Sequence, residues 1–423
     1  MDRLVQAVSG VLVPILLLLV GGYFAVTLLL RLVCARLKKP CEKRRGGGAA
    51  ALAIALAGTL GVGNIAGVGS ALAMGGAGAI FWMWISALFA MALKYAEVVL
   101  ALRTRRFDER GEVHGGAPYY MELAFPGRSG KRMGKLFAVL CFLCSLTLGT
   151  VMQSAAAAEV MAESFGVPPL AVGLAIGAGA VLILGLGAEG VERACALIVP
   201  FVCTLFAVAS LAAIFVGRAM LPAAFRAIFR EAFTWESGVG GVVGFLTSRA
   251  VRYGVARGLV SNEAGCGTAP IAHARSGSNS PVRQGLFGIV EVLVDTVLLC
   301  TMTALVILVS GVLPGGGGGM RYALLAYSAL LGPLAVPLVA LCALFFAFAT
   351  VLCWSHYGRE SLYVLGRKKG TGWPLFLILV GCAWGAVAAP DTVWDITDLV
   401  LGIMAVLNMI CLLLLRREVT KKL

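Results

Sequence analysis

The chain has 423 residues, of which 60% belong to the hydrophobic set AVILMFWYC and only 13% are Asp, Glu, Lys or Arg. Soluble proteins carry about a quarter charged residues, so this composition excludes a soluble enzyme with a membrane anchor, a disordered chain and a fibrous protein. Because a spanning helix needs about 20 apolar residues, the length allows roughly ten to twelve spans. The net charge of +14 indicates either nucleic-acid binding or basic cytoplasmic loops.

Eleven apolar segments predict transmembrane helices. The first is too long for the core of a signal peptide and has no small-residue cleavage site after it, so we expect it to be retained. In chain order, the predicted spans cover residues 9–33, 48–74, 78–102, 134–162, 168–187, 191–216, 239–267, 285–312, 333–358, 373–389 and 393–415.

The basic residues lie mostly on one side of these spans. Of the 35 Lys and Arg residues, 26 fall in alternate loops on that side, five fall on the other side and four lie within spans. Because cytoplasmic loops are enriched in Lys and Arg, we expect the amino terminus outside and the carboxyl terminus in the cytoplasm. This asymmetry explains the net charge without a nucleic-acid partner, and it predicts a plasma-membrane protein surrounded by lipid.

Cysteine and histidine give no sign of a catalytic metal centre. Cys141 and Cys144 have the spacing of a metal or redox pair, but they lie in an apolar segment without a second pair, which favours a structural role. The three histidines (His114, His273 and His356) form no ligand pattern. With no Ser-His-acid arrangement either, we expect no enzyme activity, no cofactor and no metal beyond a coupling ion.

The second span interrupts the apolar pattern. Residues 57–69 read AGTLGVGNIAGVG and contain five glycines and Asn64, a composition that forms a poor helix. One interpretation is a stripe of small residues for close helix packing, supplied by Gly63 and Gly67. The other is a helix broken at a binding site, which the position of Asn64 favours.

The seventh span also departs from the pattern. Residues 252–267 read RYGVARGLVSNEAGCG, and charges within a span face either a cavity or the cytoplasmic end of the helix. If the first span is set aside, the two irregular spans are the first and sixth of ten and have opposite orientations. Broken helices in matching positions of two halves predict the binding site of an inverted-repeat transporter.

This reasoning predicts an all-α polytopic membrane protein with four regions. They are an extra helix with a basic cytoplasmic loop (1–46), a first five-helix repeat (47–216), a second, inverted five-helix repeat (217–415) and a basic cytoplasmic tail (416–423).

Several motifs resemble those of the alanine or glycine:cation symporter family. In chain order, they are GGAGAIFWMW from Gly75, KYAE from Lys94, GGAPYYM from Gly115, RGLVSNEAG from Arg257, FAFAT from Phe346 and WSHYG from Trp354. The resemblance implies the inverted-repeat fold of neurotransmitter:sodium symporters (5+5 helices) with one extra amino-terminal helix. It also implies uptake of a small neutral amino acid, alanine or glycine, driven by sodium or in some members by protons.

Four positions depart from the family pattern. The family often has threonine at Val62, serine at Ala349, methionine at Cys266 and glycine at Ala90. All four lie at or near the expected substrate or ion site. We therefore expect them to affect substrate choice and ion coupling more than transport itself. A passive facilitator or channel, or a symporter for a different small amino acid, is the alternative function.

The candidate substrate site combines backbone amides with two side chains. A break at Val62, Gly63 and Asn64 frees amides for a carboxylate at the positive end of the following half-helix. Gln153, alone in the fourth span, either joins two helices or, by its match to the family, contacts the substrate ammonium group. Trp354 is either an interfacial anchor or, again by that match, the wall that limits the substrate side chain.

The candidate ion site lies on the other side of the same break. The carbonyls of Ala57 and Leu60 are hard oxygen donors, and Thr350 and Phe346 could add a hydroxyl and a carbonyl from a helix that the family packs against the break. The alternative for Thr350 is a hydroxyl bonded back to its own helix.

Two further pairs of charged residues lie within predicted spans. We expect Lys94 to pair with Glu97, and Glu291 with Asp295, as packing or gating contacts.

Overall fold

The computed structural model describes residues 5, 7–36, 48–109, 111–233, 249–313, 318–366, 372–387 and 390–421, and these residues are almost entirely helical. In chain order, the helices are α1 (Val13–Arg36), α2 (Gly48–Thr59), α3 (Ala66–Gly75), α4 (Gly78–Thr104), α5 (Ala117–Ala124), α6 (Arg128–Leu146), α7 (Gln153–Phe165), α8 (Pro169–Gly185), α9 (Gly187–Val216), α10 (Leu221–Glu231), α11 (Arg249–Asn262), α12 (Ala269–Ala274), α13 (Pro281–Val292), α14 (Thr301–Ser310), α15 (Gly318–Leu331), α16 (Ala335–Val364), α17 (Gly372–Val387), α18 (Pro390–Leu414) and α19 (Arg416–Thr420).

Short turns of other helix types and one small hairpin complete these elements. Single π-helical segments precede α1 and join α6 to α7 and α13 to α14, at Val8–Leu12, Thr147–Met152 and Leu293–Cys300. Strands β1 (Arg106–Phe107) and β2 (Val113–His114) pair antiparallel after α4.

Seven helical segments of the described residues are long and apolar enough to cross a membrane. They are Val8–Leu30, Gly78–Thr104, Arg128–Phe165, Gly187–Val216, Pro281–Ser310, Ala335–Val364 and Val393–Leu414. An eighth candidate is the pair Ala51–Thr59 and Val62–Gly75, which is bent by 56° at its break. The protein is therefore an integral membrane protein with several apolar spans.

The count of eleven spans stays a prediction. The spans predicted at 168–187 and 373–389 coincide with α8 and α17, which are shorter than the seven segments above. Residues 239–248, the first part of the span predicted at 239–267, lie outside the described residues, as do residues 37–47 of the basic loop. Helix α15 was not among the predicted spans because its 14 residues are too few for a spanning helix.

The second predicted span is a broken helix. Helix α2 ends at Thr59, a 3-10 turn covers Val62–Asn64 and α3 begins at Ala66. A Cβ atom added at Gly63 or Gly67 would meet nothing within 4 Å, so these glycines do not form a close-packing stripe. Gly61 lies at the break itself, and a Cβ there would lie 2.9 Å from side-chain oxygens of both Gln153 and Thr350.

The seventh predicted span is also interrupted. Helix α11 ends at Asn262, and Glu263, Gly265 and Gly267 all adopt positive φ angles before α12 begins. Glycine adopts such angles at little cost, whereas Glu263, at φ 51°, carries backbone strain. Both irregular segments that the sequence singled out therefore leave the helical conformation.

Helix packing brings the first break into the interior. Helix α16 packs against α2, α6, α7 and α9, while α4 packs against α1, α11 and α13. The loop at Leu60–Gly63 consequently faces α16 and the junction of α6 with α7, from which Thr350, Trp354 and Gln153 approach it.

Candidate functional site

The four predicted ion-site residues meet at one point beside the break. The Thr350 hydroxyl oxygen lies 3.0 Å from the Ala57 carbonyl oxygen, 3.4 Å from that of Leu60 and 2.9 Å from that of Phe346. A hydroxyl has one proton, so it donates to only one of these carbonyls at a time. The cluster therefore has more acceptors than donors, which suits a small cation, and unwound backbone carbonyls bind Na⁺ in other transporters.

A small cavity lies on the other side of the break. Its volume is about 20 Å³, and its lining includes Val62, Gly63, Gln153, Glu263 and Trp354. A cavity of this size holds about one water molecule, which is less than any amino acid needs. The structure thus brings four of the five predicted substrate residues together around a cavity that is too small for an amino acid.

The Gln153 side chain is hydrogen-bonded to the backbone amide that was predicted to bind a carboxylate. Its side-chain oxygen accepts a hydrogen bond from the Val62 N–H at 3.2 Å, and its side-chain nitrogen donates to the Leu148 carbonyl at 3.2 Å. The side chain therefore does join two elements, as one interpretation required. It also lines the cavity, and its contact with a substrate ammonium group stays a prediction.

Trp354 lies inside the protein and is not an interfacial anchor. Its side chain is fully buried, and its indole nitrogen donates to a Glu263 carboxylate oxygen at 2.9 Å. A Cβ atom added at Gly149 would lie 2.2 Å from the Cβ of Trp354, so this glycine makes room for the ring. The indole forms a fixed wall of the cavity.

Glu263 is a cavity residue that the sequence-based site omitted. Its two carboxylate oxygens accept hydrogen bonds from Trp354 and from the Thr268 hydroxyl, the latter at 2.7 Å. Its place in an irregular, charged segment was the available signal, but a sequence does not show which charge faces the cavity. A carboxylate here is a natural partner for an ammonium group.

Asn64 does not line the cavity. Its side-chain nitrogen donates to an Asp295 carboxylate oxygen at 2.6 Å, and the same carboxylate accepts from Ser261 and Thr296 at 2.8 and 2.7 Å. The Thr303 hydroxyl donates to the Asn64 carbonyl at 2.8 Å. The side chain of Asn64 thus fixes the 3-10 turn against the Leu293–Cys300 segment instead of facing a substrate.

The predicted charge pairs are replaced by other contacts. The Lys94 ammonium group lies 3.2 Å from Glu291 on α13, not against Glu97. Glu97 accepts a hydrogen bond from the Asn408 side chain at 2.6 Å, and Asp295 is bonded to Asn64. The reason is helix packing: α13 lies along α4, so Glu291 reaches Lys94 across the interface.

Comparison with known proteins decides the family. The model of the sodium:alanine symporter family matches residues 1–423. The chain belongs to this family. Membership agrees with the apolar spans and the motifs described above.

Relatives in this family differ in their named substrates. The chain is 39% identical over 373 residues to a sodium/alanine symporter, AgcS, of Methanococcus maripaludis, which covers 86% of this chain and 81% of the relative. It is 33% identical over 424 residues to a probable sodium/glutamine symporter, GlnT, of Bacillus subtilis, with 96% and 86% covered.

Solved structures of other transporters share the fold of the present chain at low sequence identity. The transporter MhsT in complex with L-phenylalanine matches with a TM-score of 0.53 and 11% identity, over 87% of this chain and 89% of that one. A Na⁺-coupled sialic acid symporter matches with a TM-score of 0.54 and 13% identity, over 98% and 82%. These matches show that the chain shares the overall fold of these transporters, while its division into two inverted repeats stays a prediction.

Proposed function

We propose that this protein couples inward sodium flow to uptake of a small neutral amino acid, alanine or glycine, by alternating access. The observation that carries the proposal is the cluster of oxygens at Thr350 on one side of the break, with the Gln153 and Glu263 side chains on the other. Family membership supports sodium as the coupling ion, and the named sodium/alanine relative supports the substrate.

The substrate carboxylate takes the place of the Gln153 side-chain oxygen on the Val62 N–H. A carboxylate is a stronger acceptor than a neutral amide oxygen, and α3 directs its positive amino-terminal end towards this point. The exchange frees the Gln153 amide to turn towards the rest of the substrate. Because a Cβ at Gly63 meets nothing within 4 Å, the backbone leaves space there for the ligand.

The ammonium group lies between Glu263 and the displaced Gln153 side chain. Each Glu263 oxygen already accepts one hydrogen bond, and a carboxylate oxygen can accept a second. Trp354 then faces the substrate side chain, and its fixed position favours a methyl group or hydrogen over the longer side chain of glutamine.

Sodium binds among the carbonyls of Ala57, Leu60 and Phe346 and the Thr350 hydroxyl. The Leu60 carbonyl and the Val62 amide are two residues apart in the same unwound segment, so an ion that orders this segment also orders the substrate amide. Binding of either ligand thereby raises the affinity for the other, which is the thermodynamic requirement for coupling.

The test is uptake of labelled alanine, glycine, serine and glutamine into proteoliposomes under separate sodium and proton gradients. We expect alanine or glycine to accumulate above equilibrium with the sodium gradient and to be recovered chemically unchanged. Accumulation with a proton gradient alone would show that protons, and not sodium, are the coupling ion. Equilibration without accumulation under either gradient would contradict the proposal and identify a passive facilitator.

We further propose eleven spans in two inverted five-helix repeats after the extra helix, with the amino terminus outside and the carboxyl terminus in the cytoplasm. The distribution of Lys and Arg in the sequence supports this orientation.

A further inference from the structure

The β1–β2 hairpin assembles a group of potential metal ligands that the sequence did not reveal. A carboxylate oxygen of Asp108, one of Glu112 and a ring nitrogen of His114 all lie within 4.8 Å of one another. These residues are not at a recognised ligand spacing. The antiparallel hairpin brings them together by placing Arg106 opposite His114.

The His114 ring is held in one orientation by its surroundings. It is 6% exposed, and it stacks on Tyr363 with ring centroids 3.6 Å apart and an interplanar angle of 5°. Its Nδ1 atom lies 2.9 Å from a carboxylate oxygen of Glu360. An ionised carboxylate only accepts hydrogen bonds, so Nδ1 carries a proton, and whenever the ring is neutral its lone pair is on Nε2.

The lone pair on Nε2 faces the acidic side of the hairpin. Nε2 has no hydrogen-bond partner among the described residues, and it lies 3.8 Å from the Asp108 Oδ2 atom. The other oxygen of Asp108 accepts the Glu112 N–H at 2.8 Å, which fixes the turn. A buried nitrogen that makes no hydrogen bond is costly unless a ligand satisfies it.

We propose that Asp108, Glu112 and Nε2 of His114 bind a divalent metal ion of the zinc class, with Glu360 as the residue that positions the imidazole. One imidazole nitrogen and two carboxylate oxygens form a ligand set that zinc accepts, and water completes the coordination. A carboxylate on the far nitrogen of a ligating histidine is the usual support of such a site.

The site lies outside the transport machinery but is joined to it. Glu360 belongs to α16, the helix that also carries Thr350 and Trp354, and it accepts a further hydrogen bond from Tyr119 at 2.9 Å. A bound metal ion therefore fastens the hairpin to the end of α16. The proposed metal site does not rest on the proposed transport function, because zinc binding is measured directly and needs no transport assay.

Protons compete with the metal for His114. Burial lowers the pKa of His114, but the hydrogen bond to Glu360 and the charges of Glu360, Asp108 and Glu112 raise it, and the net shift is upward. Zinc binds the neutral imidazole. The measurement is therefore made at a pH well above the ordinary pKa of histidine.

The experiment titrates zinc chloride into the purified, tag-free full-length protein after treatment with a chelator. Calorimetry gives the affinity and elemental analysis gives the stoichiometry. The variants are Glu112→Gln, which changes an exposed carboxylate, and His114→Asn. The matched control is Glu109→Gln, an exposed carboxylate in the same turn that is not one of the three ligands.

We expect one zinc ion per chain in the unmodified protein and in Glu109→Gln. Mutation of an outer-shell partner of a metal site costs about 10- to 100-fold in affinity, so loss of a direct ligand should weaken binding by at least about tenfold in Glu112→Gln and by more in His114→Asn. Absence of saturable binding in the unmodified protein would overturn the proposal. So would equal affinity in Glu112→Gln, whose folding is checked by its unchanged melting temperature.

Discussion

The Gln153 side chain links the fourth span to the break by a hydrogen bond from the Val62 N–H. We predict that Gln153→Leu, which keeps most of the volume and removes every polar atom, lowers alanine affinity about 10- to 150-fold. A hydrogen bond to a charged group contributes roughly 1.5–3 kcal/mol, which gives this range. Alanine binding and melting temperature are measured on the same purified variant.

The matched control for this prediction is Gln284→Leu. Gln284 is fully buried and bonded to His273 at 2.8 Å, away from the cavity lining. The Gln284→Leu protein should be less stable than the unmodified protein and should keep its alanine affinity. Unchanged affinity in a destabilised Gln153→Leu protein would remove Gln153 from the substrate site and leave it a purely structural role.

Thr350 provides the corresponding test of the ion site. Thr350→Val keeps the shape of the side chain and deletes the hydroxyl, so we predict that the sodium concentration for half-maximal uptake rises about tenfold, the effect of roughly 1.4 kcal/mol. The control is Thr204→Val, because the Thr204 hydroxyl is exposed and bonds only to Pro200 of its own helix. An unchanged sodium requirement in Thr350→Val would place the ion elsewhere.

Some features of the site could be predicted from the local sequence, whereas contacts between distant side chains could not. The freed carbonyls of Ala57 and Leu60 were predictable because the glycines around them form a poor helix. The contact of Trp354 with Glu263, and that of Lys94 with Glu291, could not be predicted. Each depends on which helices pack together and not on the local sequence.

Gly61 lies at the break in the second span, where there is little room for a side chain. We predict that Gly61→Ala reduces sodium-driven alanine uptake by at least about tenfold, because its methyl group would lie 2.9 Å from the Gln153 and Thr350 oxygens and would separate them from the break. Uptake rates at equal protein density in proteoliposomes provide the measurement.

Gly67→Ala is the matched control for the broken helix. Gly67 lies in α3, where an added methyl group meets nothing within 4 Å and alanine favours the helix by about 1 kcal/mol. We expect full uptake and equal or higher thermal stability. Equal uptake by Gly61→Ala and Gly67→Ala would show that the geometry at Gly61 is not required.

Elements were predictable where composition alone determines them. Glycine-rich and charged segments indicated both interruptions, and apolar runs indicated the long helices such as α9 and α16. Helix α15 and the β1–β2 hairpin were missed because each is short and is stabilised by contacts distant in the chain, including Gly69 against Gly319 and His114 against Glu360. The hairpin register, which creates the proposed metal site, has no local signal in the sequence.

At the scale of the whole molecule, the distribution of basic residues predicts orientation. A cysteine at exposed Arg128, between predicted spans three and four, should react with a membrane-impermeant thiol reagent only after the cells are permeabilised. A cysteine at exposed Arg218, on the opposite side, should react in intact cells. Labelling is compared with that of the unmodified protein, and the reverse pattern would invert the proposed orientation.

We propose that ion and substrate bind to one unwound segment and stabilise each other there. The most direct test of this proposal is the affinity for alanine with and without sodium, together with the affinity for sodium with and without alanine. We expect each ligand to raise the affinity for the other by the same factor, because coupling free energies are reciprocal. An alanine affinity that is identical in sodium and in a sodium-free buffer of equal ionic strength would contradict it.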